Sequence, residues 1–300
     1  MHEWIRALRR LTRRPASAAA IVITVALGIG ISAGMFSVLH GVVLRALPYP
    51  DADRLVRIYT GAPSRGPGRG GLTRAEVLEG LPSLPGFEST AYYINEPPYL
   101  FNGAGLARRV GVVRVSADFF TVFGVPAALG RTFIASDFGE TGPVAVLSHE
   151  AWTELTGGDP SAVGRTLTFT QASVEVVGVL PPSFTESTGE ALVYVPFSAS
   201  DLGAPRFLYG QRQIVAVGRL AAGTSRAAAR NALATRMAGV ATDGRPNDFQ
   251  YAFVGLLDEL VAGVRVVLSG LFMVSLLVLL IACATAASLV AIRFHARGAE

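Results

Sequence analysis

Residues 15–44 read PASAAAIVITVALGIGISAGMFSVLHGVVL, and residues 266–292 read VVLSGLFMVSLLVLLIACATAASLVAI. Neither stretch holds an Asp, Glu, Lys or Arg. A bilayer core needs about 20 consecutive apolar residues in a helix, so each stretch is long enough to cross once. A charge near the midplane costs roughly 2.5–3.5 kcal/mol on the insertion scale, and both stretches avoid it. The pattern predicts two transmembrane helices, within 15–45 and 265–292. Between them lie residues 46–264, enough for a real core and two subdomains. A cleaved leader has an apolar region of about 7–15 residues. The first stretch is roughly twice that and lacks a small-residue cleavage site before Pro48, so it reads as an uncleaved anchor.

Charge sets the orientation. Residues 1–45 hold six Arg and one Glu, net +5; residues 46–264 hold 17 Arg against 20 acidic residues, net −3; residues 265–300 hold three Arg and one Glu, net +2. The positive charge flanks the apolar stretches at Arg6, Arg9, Arg10, Arg13, Arg14, Arg293 and Arg297. The positive-inside rule puts both ends in the cytoplasm and residues 46–264 outside, in the periplasm of a bacterial inner-membrane protein. Residues 1–14 place Trp4, Ile5, Leu8 and Leu11 on one helical side, the pattern of an interfacial helix in contact with membrane lipid. A sequence pI near 9.6 would suggest nucleic acid, but the bulk of the chain is slightly acidic and no nucleic-acid partner is expected. Ala26, Gly30 and Gly34 recur at four-residue spacing, which lets helix backbones approach closely.

Composition excludes several chemistries. All 26 basic residues are Arg. A Walker-type ATPase needs the lysine of its phosphate loop, and a Schiff base needs a lysine amine. The single cysteine, Cys283, supports neither a disulfide framework nor a cysteine metal cluster. His2, His40, His149 and His295 form no pair at metal-ligand spacing. The chain reads as a non-enzyme with no catalytic, cofactor-binding or metal site.

In the external region, strand-like runs are Leu55–Thr60, Arg109–Val115, Val144–Leu147, Thr166–Thr170, Val174–Leu180, Leu192–Pro196, Gln213–Leu220 and Phe249–Leu257. Helices are signalled at Thr73–Leu81, where Thr73 and Glu76 make a capping box. Others start at Ser116, ending at Gly124, and at Ser148, whose hydroxyl can cap His149–Thr156. The longest is Ser225–Ala238, with Gly239 as its stop. Strand–helix–strand units fall near 54–94 and 213–257, and a mostly β stretch lies between. The fold expected is a membrane protein with two transmembrane helices and an inserted α+β external domain. That domain comprises a discontinuous α/β membrane-proximal subdomain and a β-rich insert about 107–205.

Each candidate for chemistry has a plainer reading. The loop Gly61–Gly71, GAPSRGPGRGG, has the glycines of an anion loop but neither the lysine nor the helix start. Gly223-Thr224-Ser225-Arg226-Ala227 lacks the last glycine of a nucleophile elbow, and Ser225 serves as a helix cap. His149 opens a helix without a carboxylate partner in sequence. Asp137, Glu140, Glu150 and Glu154 have no singular spacing, and Asp118 favours a helix N-terminus through the dipole.

The opening LRRLTRRPASAAAIVITVALGIGISAGMFSVLHGVVLRALPYPDADRLVRIY resembles the N-terminal span of MacB-like ABC permeases with FtsX-type membrane regions. SADFFTVFGVPAALGRTF (116–133), PVAVLSHEAWTELTGGDPSAVGRTL (143–167) and VEVVGVLPPSF (174–184) resemble that family's periplasmic core domain. The likeness is nearest to the branch of large permeases with duplicated membrane modules. It implies efflux, transport or mechanotransmission driven by a nucleotide-binding ATPase subunit. The partners it implies are that ATPase, a second permease half or homodimer partner, and a periplasmic adaptor protein. Such permeases have at least four spans, so residues 293–300 read as the cytoplasmic start of an FtsX-type region and the chain as an N-terminal portion.

Asp258–Ile292, helical throughout, would be about 52 Å long. The excess over the bilayer would project outward as a stalk. The rival reading is a two-span sensor or scaffold binding an envelope ligand or protein. Such a sensor needs a cytoplasmic signalling module, and residues 1–14 and 293–300 leave no room for one.

Overall fold

The computed structural model describes residues 15–39, 49–61, 69–102, 107–139, 142–184, 192–198, 201, 212–240 and 249–295. The interfacial helix over 1–14, residues 62–68 of the glycine-rich loop, Glu140, Arg297 and the rest of the tail lie outside them. In chain order come α1 (Pro15–Leu39), β1 (Leu55–Gly61), β2 (Phe87–Phe101) and β3 (Arg108–Val115). Next are α2 (Phe119–Phe123), β4 (Leu129–Gly130), β5 (Val144–Leu147), α3 (His149–Thr156), β6 (Thr166–Thr168), β7 (Ser173–Val179) and β8 (Leu192–Pro196). Then follow β9 (Val215–Leu220), α4 (Arg226–Ala238), β10 (Gln250–Gly255) and α5 (Leu256–His295). The chain divides into two compact units, one of Met1–Ala46 with Val261–Glu300 and one of Leu47–Leu260.

Leu47–Leu260 is a mixed α/β unit built on one sheet, in the order β10-β1-β9-β2-β3-β8-β5-β7-β4, with β6 paired to β7. Strands from residues 107–205 stand together on the β3 side, and the remaining strands on the other. The β3 side closes on itself. Phe101 at the end of β2 bridges Phe169 beyond β6, and the Thr170 amide donates to the Leu100 carbonyl at 2.9 Å. Strands β2-β3-β8-β5-β7-β6 thus form a small barrel around Val110, Val112, Leu147, Leu167, Val174 and Val193.

β2 runs well past residue 94, where the sequence pattern closes its strand–helix–strand unit. Glu96 pairs with Val112 and Tyr99 with Val110, so the register slips by one residue across Pro97 and Pro98. Two prolines lack the N–H a ladder needs, and a bulge is where a strand tolerates them. The prolines therefore hide a strand that they only bend.

β1 is buried along its whole length because both of its faces are covered. On one face α4 lays down Ala229, Leu233 and Met237, one stripe at four-residue spacing. There the peptide Thr73–Gly80 closes as a π-turn over Glu76–Gly80, not as the regular helix the capping box signals. Gly80 lies so near α4 that a Cβ there would clash with Met237 Sδ. The opposite face carries an aromatic cluster on α2. Phe119 is fully buried, and its ring packs against Tyr93 at 5.5 Å, Phe123 at 5.1 Å and Tyr194 at 5.9 Å.

Ser148 caps α3 by accepting from Ala151 N at 3.1 Å, and Ser225 caps α4 by accepting from Ala228 N at 3.1 Å. Ser116 does not cap α2. Its hydroxyl accepts the Tyr92 amide of β2 at 3.0 Å, and the helix begins at Phe119 without a side-chain cap.

In the helical unit, α1 and α5 touch through Gly28, Ser32 and Phe36. A Cβ on Gly28 would lie 3.1 Å from Leu279 Cδ1, Ser32 Oγ donates to the Ser275 carbonyl at 3.3 Å, and the Phe36 and Phe272 rings stand 6.3 Å apart. Gly30 and Gly34 have nothing within 4 Å of such a Cβ, so the four-residue stripe sits on another side of α1. Among the described residues, one helical stretch, Val267–Ser288 with mean hydropathy 2.7, is long and apolar enough to cross a bilayer; Val25–Val38 is apolar but shorter.

Phe119→Ala should remove about 3–5 kcal/mol of stability, the range for emptying a packed aromatic site. Chemical unfolding of the full chain in detergent, followed by intrinsic fluorescence, measures it. A midpoint equal to that of the parent chain would refute the central role given to this ring.

Candidate functional site

The chain runs into the folded unit ahead of β1 and out of it after β10, and these two roots meet. Val56 of β1 pairs directly with Gly255 of β10, while Leu55 pairs with Arg219 of β9. The first turn of α5 therefore starts beside the first residue pairs of β1.

That turn carries Asp258 and Glu259, at the helix end where negative charge is favoured. The Glu259 side chain is only 11% exposed, and its Oε1 lies 3.6 Å from Arg57 Nη1 and 3.2 Å from Arg69 Nη1. Arg57, in the middle of β1, also donates to the Tyr93 hydroxyl of β2. Tyr59, two residues along the same face of β1, is held protonated above its ordinary range near 10.0, first by burial and then by its hydrogen bond with Glu259. Leu256 is buried in the aromatic core next to this network. The root of α5 is thus fixed to the sheet by one apolar plug and one carboxylate between two guanidiniums. Two charges in low-dielectric surroundings attract strongly, and removing either one strands the other.

Arg226, at the start of α4, reaches both roots. Its Nη2 donates to the Asp53 carbonyl at 3.3 Å, and its Nη1 stands 3.9 Å from Asp258 Oδ2. Gly255 makes room for this: a Cβ there would fall 2.8 Å from Arg226 Nη2 and 2.9 Å from Asp258 Oδ2. The incoming root is held in the same manner. Arg219 is buried in β9 and donates from Nη1 to the Pro50 carbonyl at 2.7 Å and from Nε to the Val122 carbonyl at 2.9 Å. Arg54 donates to the Leu220 carbonyl at 2.7 Å and pairs with Asp51 and Glu88. Tyr49 inserts its ring between Phe123 and Phe184.

A second buried ion pair braces the far end of β10. Glu76 is fully buried; it accepts the Thr73 amide at 2.7 Å as the capping box requires, and it also takes Arg212 at 2.8 Å and the Tyr251 hydroxyl. Arg212 stacks 3.4 Å from the centre of the Phe249 ring.

The residues weighed in sequence as candidates for chemistry do not converge. His149 packs against Trp152 at 5.3 Å, and Asp137 is claimed by Arg131 at 2.6 Å, which holds its carboxyl below the usual range. Glu150 and Glu154 lie on α3, and Asp118 sits at the N-cap position of α2 without bonding there. Among the described residues no group of His, Cys, Asp or Glu could hold a metal ion. Sequence reasoning passed over Arg57, Arg226 and Glu259. The one available signal was an acidic pair, Asp258 and Glu259, immediately ahead of a long apolar helix.

The family of MacB-like periplasmic core domains matches residues 18–236, and the chain belongs to that family. Its members are the periplasmic part of inner-membrane permeases of ABC transporters, which work with ABC ATPase partners and are not themselves catalytic. Among solved structures, the chain is similar to the periplasmic region of MacB from Actinobacillus actinomycetemcomitans. The TM-score is 0.49 at 16% identity, covering 71% of this chain and 94% of that one. It is also similar to the extracellular domain of the noncanonic ABC-type transporter YknZ from Gram-positive bacteria, with TM-score 0.44 at 16% identity, covering 66% and 99%. No curated protein matches the chain.

Glu259→Gln should cost about 3 kcal/mol by breaking the buried pair with Arg57. Replacing both Arg57 and Glu259 with Met should recover most of that loss in a double-mutant cycle; purely additive losses would argue against the pair. Because the Tyr59 pKa is raised in the folded state, the stability tied to it is complete below pH 10.0 and fades only as pH climbs through the higher folded value. Ultraviolet titration of the chain against Tyr59→Phe should show this phenol ionising above the range of exposed tyrosines, and earlier once Glu259 is Gln.

Proposed function

We propose that this chain is the permease subunit, or its N-terminal part, of an ABC-type exporter or mechanotransmission complex. In this reading α1 and α5 both cross the inner membrane, the N-terminus is cytoplasmic and residues 46–264 are periplasmic. A partner ATPase drives motion on the cytoplasmic side, and the helices carry it outward. A second permease half or a homodimer partner completes the membrane portion, and a periplasmic adaptor protein is a further partner.

The observation that carries the proposal is α5. One helix, Leu256–His295, begins in a first turn fixed to β1 and includes the apolar stretch Val267–Ser288. At 1.5 Å per residue its 40 residues extend about 60 Å, against roughly 30 Å for a bilayer core. A helix with all its hydrogen bonds made is stiff along its axis. Displacement at one end therefore reaches the other, provided the root does not slip. The Glu259–Arg57 and Arg226 contacts resist slipping, and Arg219 does the same for the incoming root. Sequence features agree with the topology: arginines gather at both ends of the chain, and neither apolar stretch holds a charge.

Inserting Gly-Pro after Val261 breaks the axial hydrogen-bond ladder without touching the root or the apolar stretch. In the assembled complex, ATP turnover should persist. The ATP-dependent change in deuterium uptake over residues 55–61 and 250–255 should disappear. A change of parent size in the insertion variant would refute the relay. Reporter fusions near residue 150 check the topology independently, and a cytoplasmic signal there would overturn it.

A further inference from the structure

On the barrel side of the sheet, away from the two roots, two clefts lie side by side. The first, of about 220 Å³, is walled by Tyr99, Val174, Val195 and Pro196, with Arg114 and Asp201 among its polar lining. The second, of about 430 Å³, is lined chiefly by hydroxyls and carboxylates: Ser136, Thr166, Ser173 and Glu175. Asp137, Pro143 and Val144 line both, so the two form one groove with an apolar end and an acidic end.

The charges of the groove do not cancel. Arg114 is spent on Glu96 at 3.0 Å and Asp201 at 2.9 Å, while Asp201 also accepts the Ser198 amide at 2.8 Å. Asp137 is bound by both terminal nitrogens of Arg131, at 2.6 and 3.0 Å. Glu175 on β7 adds an exposed carboxylate that also acts on Arg131. Among the described residues three carboxylates, Asp137, Glu175 and Asp201, line the groove against Arg114 in its wall and Arg131 beside it. The excess is negative at the hydroxyl-rich end, where Asp137 and Glu175 share Arg131. The arginines are already engaged, so an incoming cation meets attraction and an incoming anion does not. At the other end, Val174 and Val195 belong to the barrel core, and the cleft wall they form is apolar.

We propose that this groove receives an extended segment of another periplasmic protein, with an apolar side chain in the first cleft and a basic one in the second. In an extended segment, residues two apart point to the same side, which suits two adjoining clefts. The periplasmic placement rests on the function proposed above, but the binding itself needs neither ATPase nor relay. Failure of the one is therefore separable from failure of the other.

The test uses the full chain in detergent micelles and a fluorescein-labelled, end-capped hexapeptide of Gly and Ser carrying Leu and Arg two positions apart. Polarisation should show saturable binding that weakens with salt. Glu175→Arg, on the exposed face of β7, should weaken it about tenfold or more, and Ala172→Leu, which fills the apolar cleft, about as much. Peptides with Glu for Arg, or Gly for Leu, should lose binding to a similar degree. The proposal fails if the Leu–Arg peptide does not saturate, if the Glu peptide binds equally, or if Glu175→Arg changes nothing. Equal affinity for free arginine amide would make the groove a small-cation site and overturn the peptide reading. None of these readouts depends on ATP-driven movement.

Discussion

The antiparallel ladder between β1 and β10 governs the arrangement of the folded unit. Val56 opposite Gly255 means that the first strand after the incoming root and the last strand before the outgoing one are immediate neighbours. A ladder of this kind is costly to form early, because its two strands are separated by almost the whole domain and loop closure must come first. Once formed, it leaves both connections at one end of one sheet. Every contact at the roots presupposes it: Glu259 finds Arg57 because α5 follows β10 directly, and Arg226 reaches Asp53 and Asp258 because they flank the same strand pair.

Arginine supplies the fastening throughout, and the chain has no lysine to use in its place. The choice has mechanical sense. A guanidinium offers five donors in a rigid plane, so one side chain can tie two segments at fixed geometry. Arg219 does so with two backbone carbonyls from different segments, Pro50 and Val122, and Arg114 with Glu96 and Asp201. Carbonyl acceptors at a chain turn or a helix end are groups that otherwise lack partners, and burying them unsatisfied would cost about as much as a lost hydrogen bond. An ammonium on a flexible stem would meet the charge requirement but not the planar, two-point one.

Much of the secondary structure was written locally and could be read locally. The Thr73–Glu76 box and the Ser148 and Ser225 caps need only a few consecutive residues, and each bond forms as the pattern requires. What escaped was set by distant parts of the chain. Ser116 looks like a cap, but β2 presents an amide to it. Glu76 looks like half of a box, but its carboxylate also answers Arg212 and Tyr251. The small-residue stripe of α1 does not face α5, for a geometric reason. Gly28, Ser32 and Phe36 lie about 200° around the helix from Gly30 and Gly34, and small residues alone do not say which side the neighbour occupies. The root site was illegible because Arg57 and Glu259 stand at opposite ends of the external segment and only the fold brings them together.

The two halves of the sheet differ in how they are held. The barrel half closes on itself through Phe101 and Phe169, so each of its strands has partners on both sides along part of its length. The root half ends at β10, whose second edge has no strand beside it among the described residues. What braces that edge is side-chain chemistry: the Glu76–Arg212–Tyr251 cluster at one end of β10 and the Glu259–Arg57 pair at the other. Glu259 draws Arg57, Arg69 and the Tyr59 hydroxyl to one carboxylate. The open edge at β10 is therefore held by side chains at its two ends, while the barrel that presents the groove is held by strand pairing around its circumference.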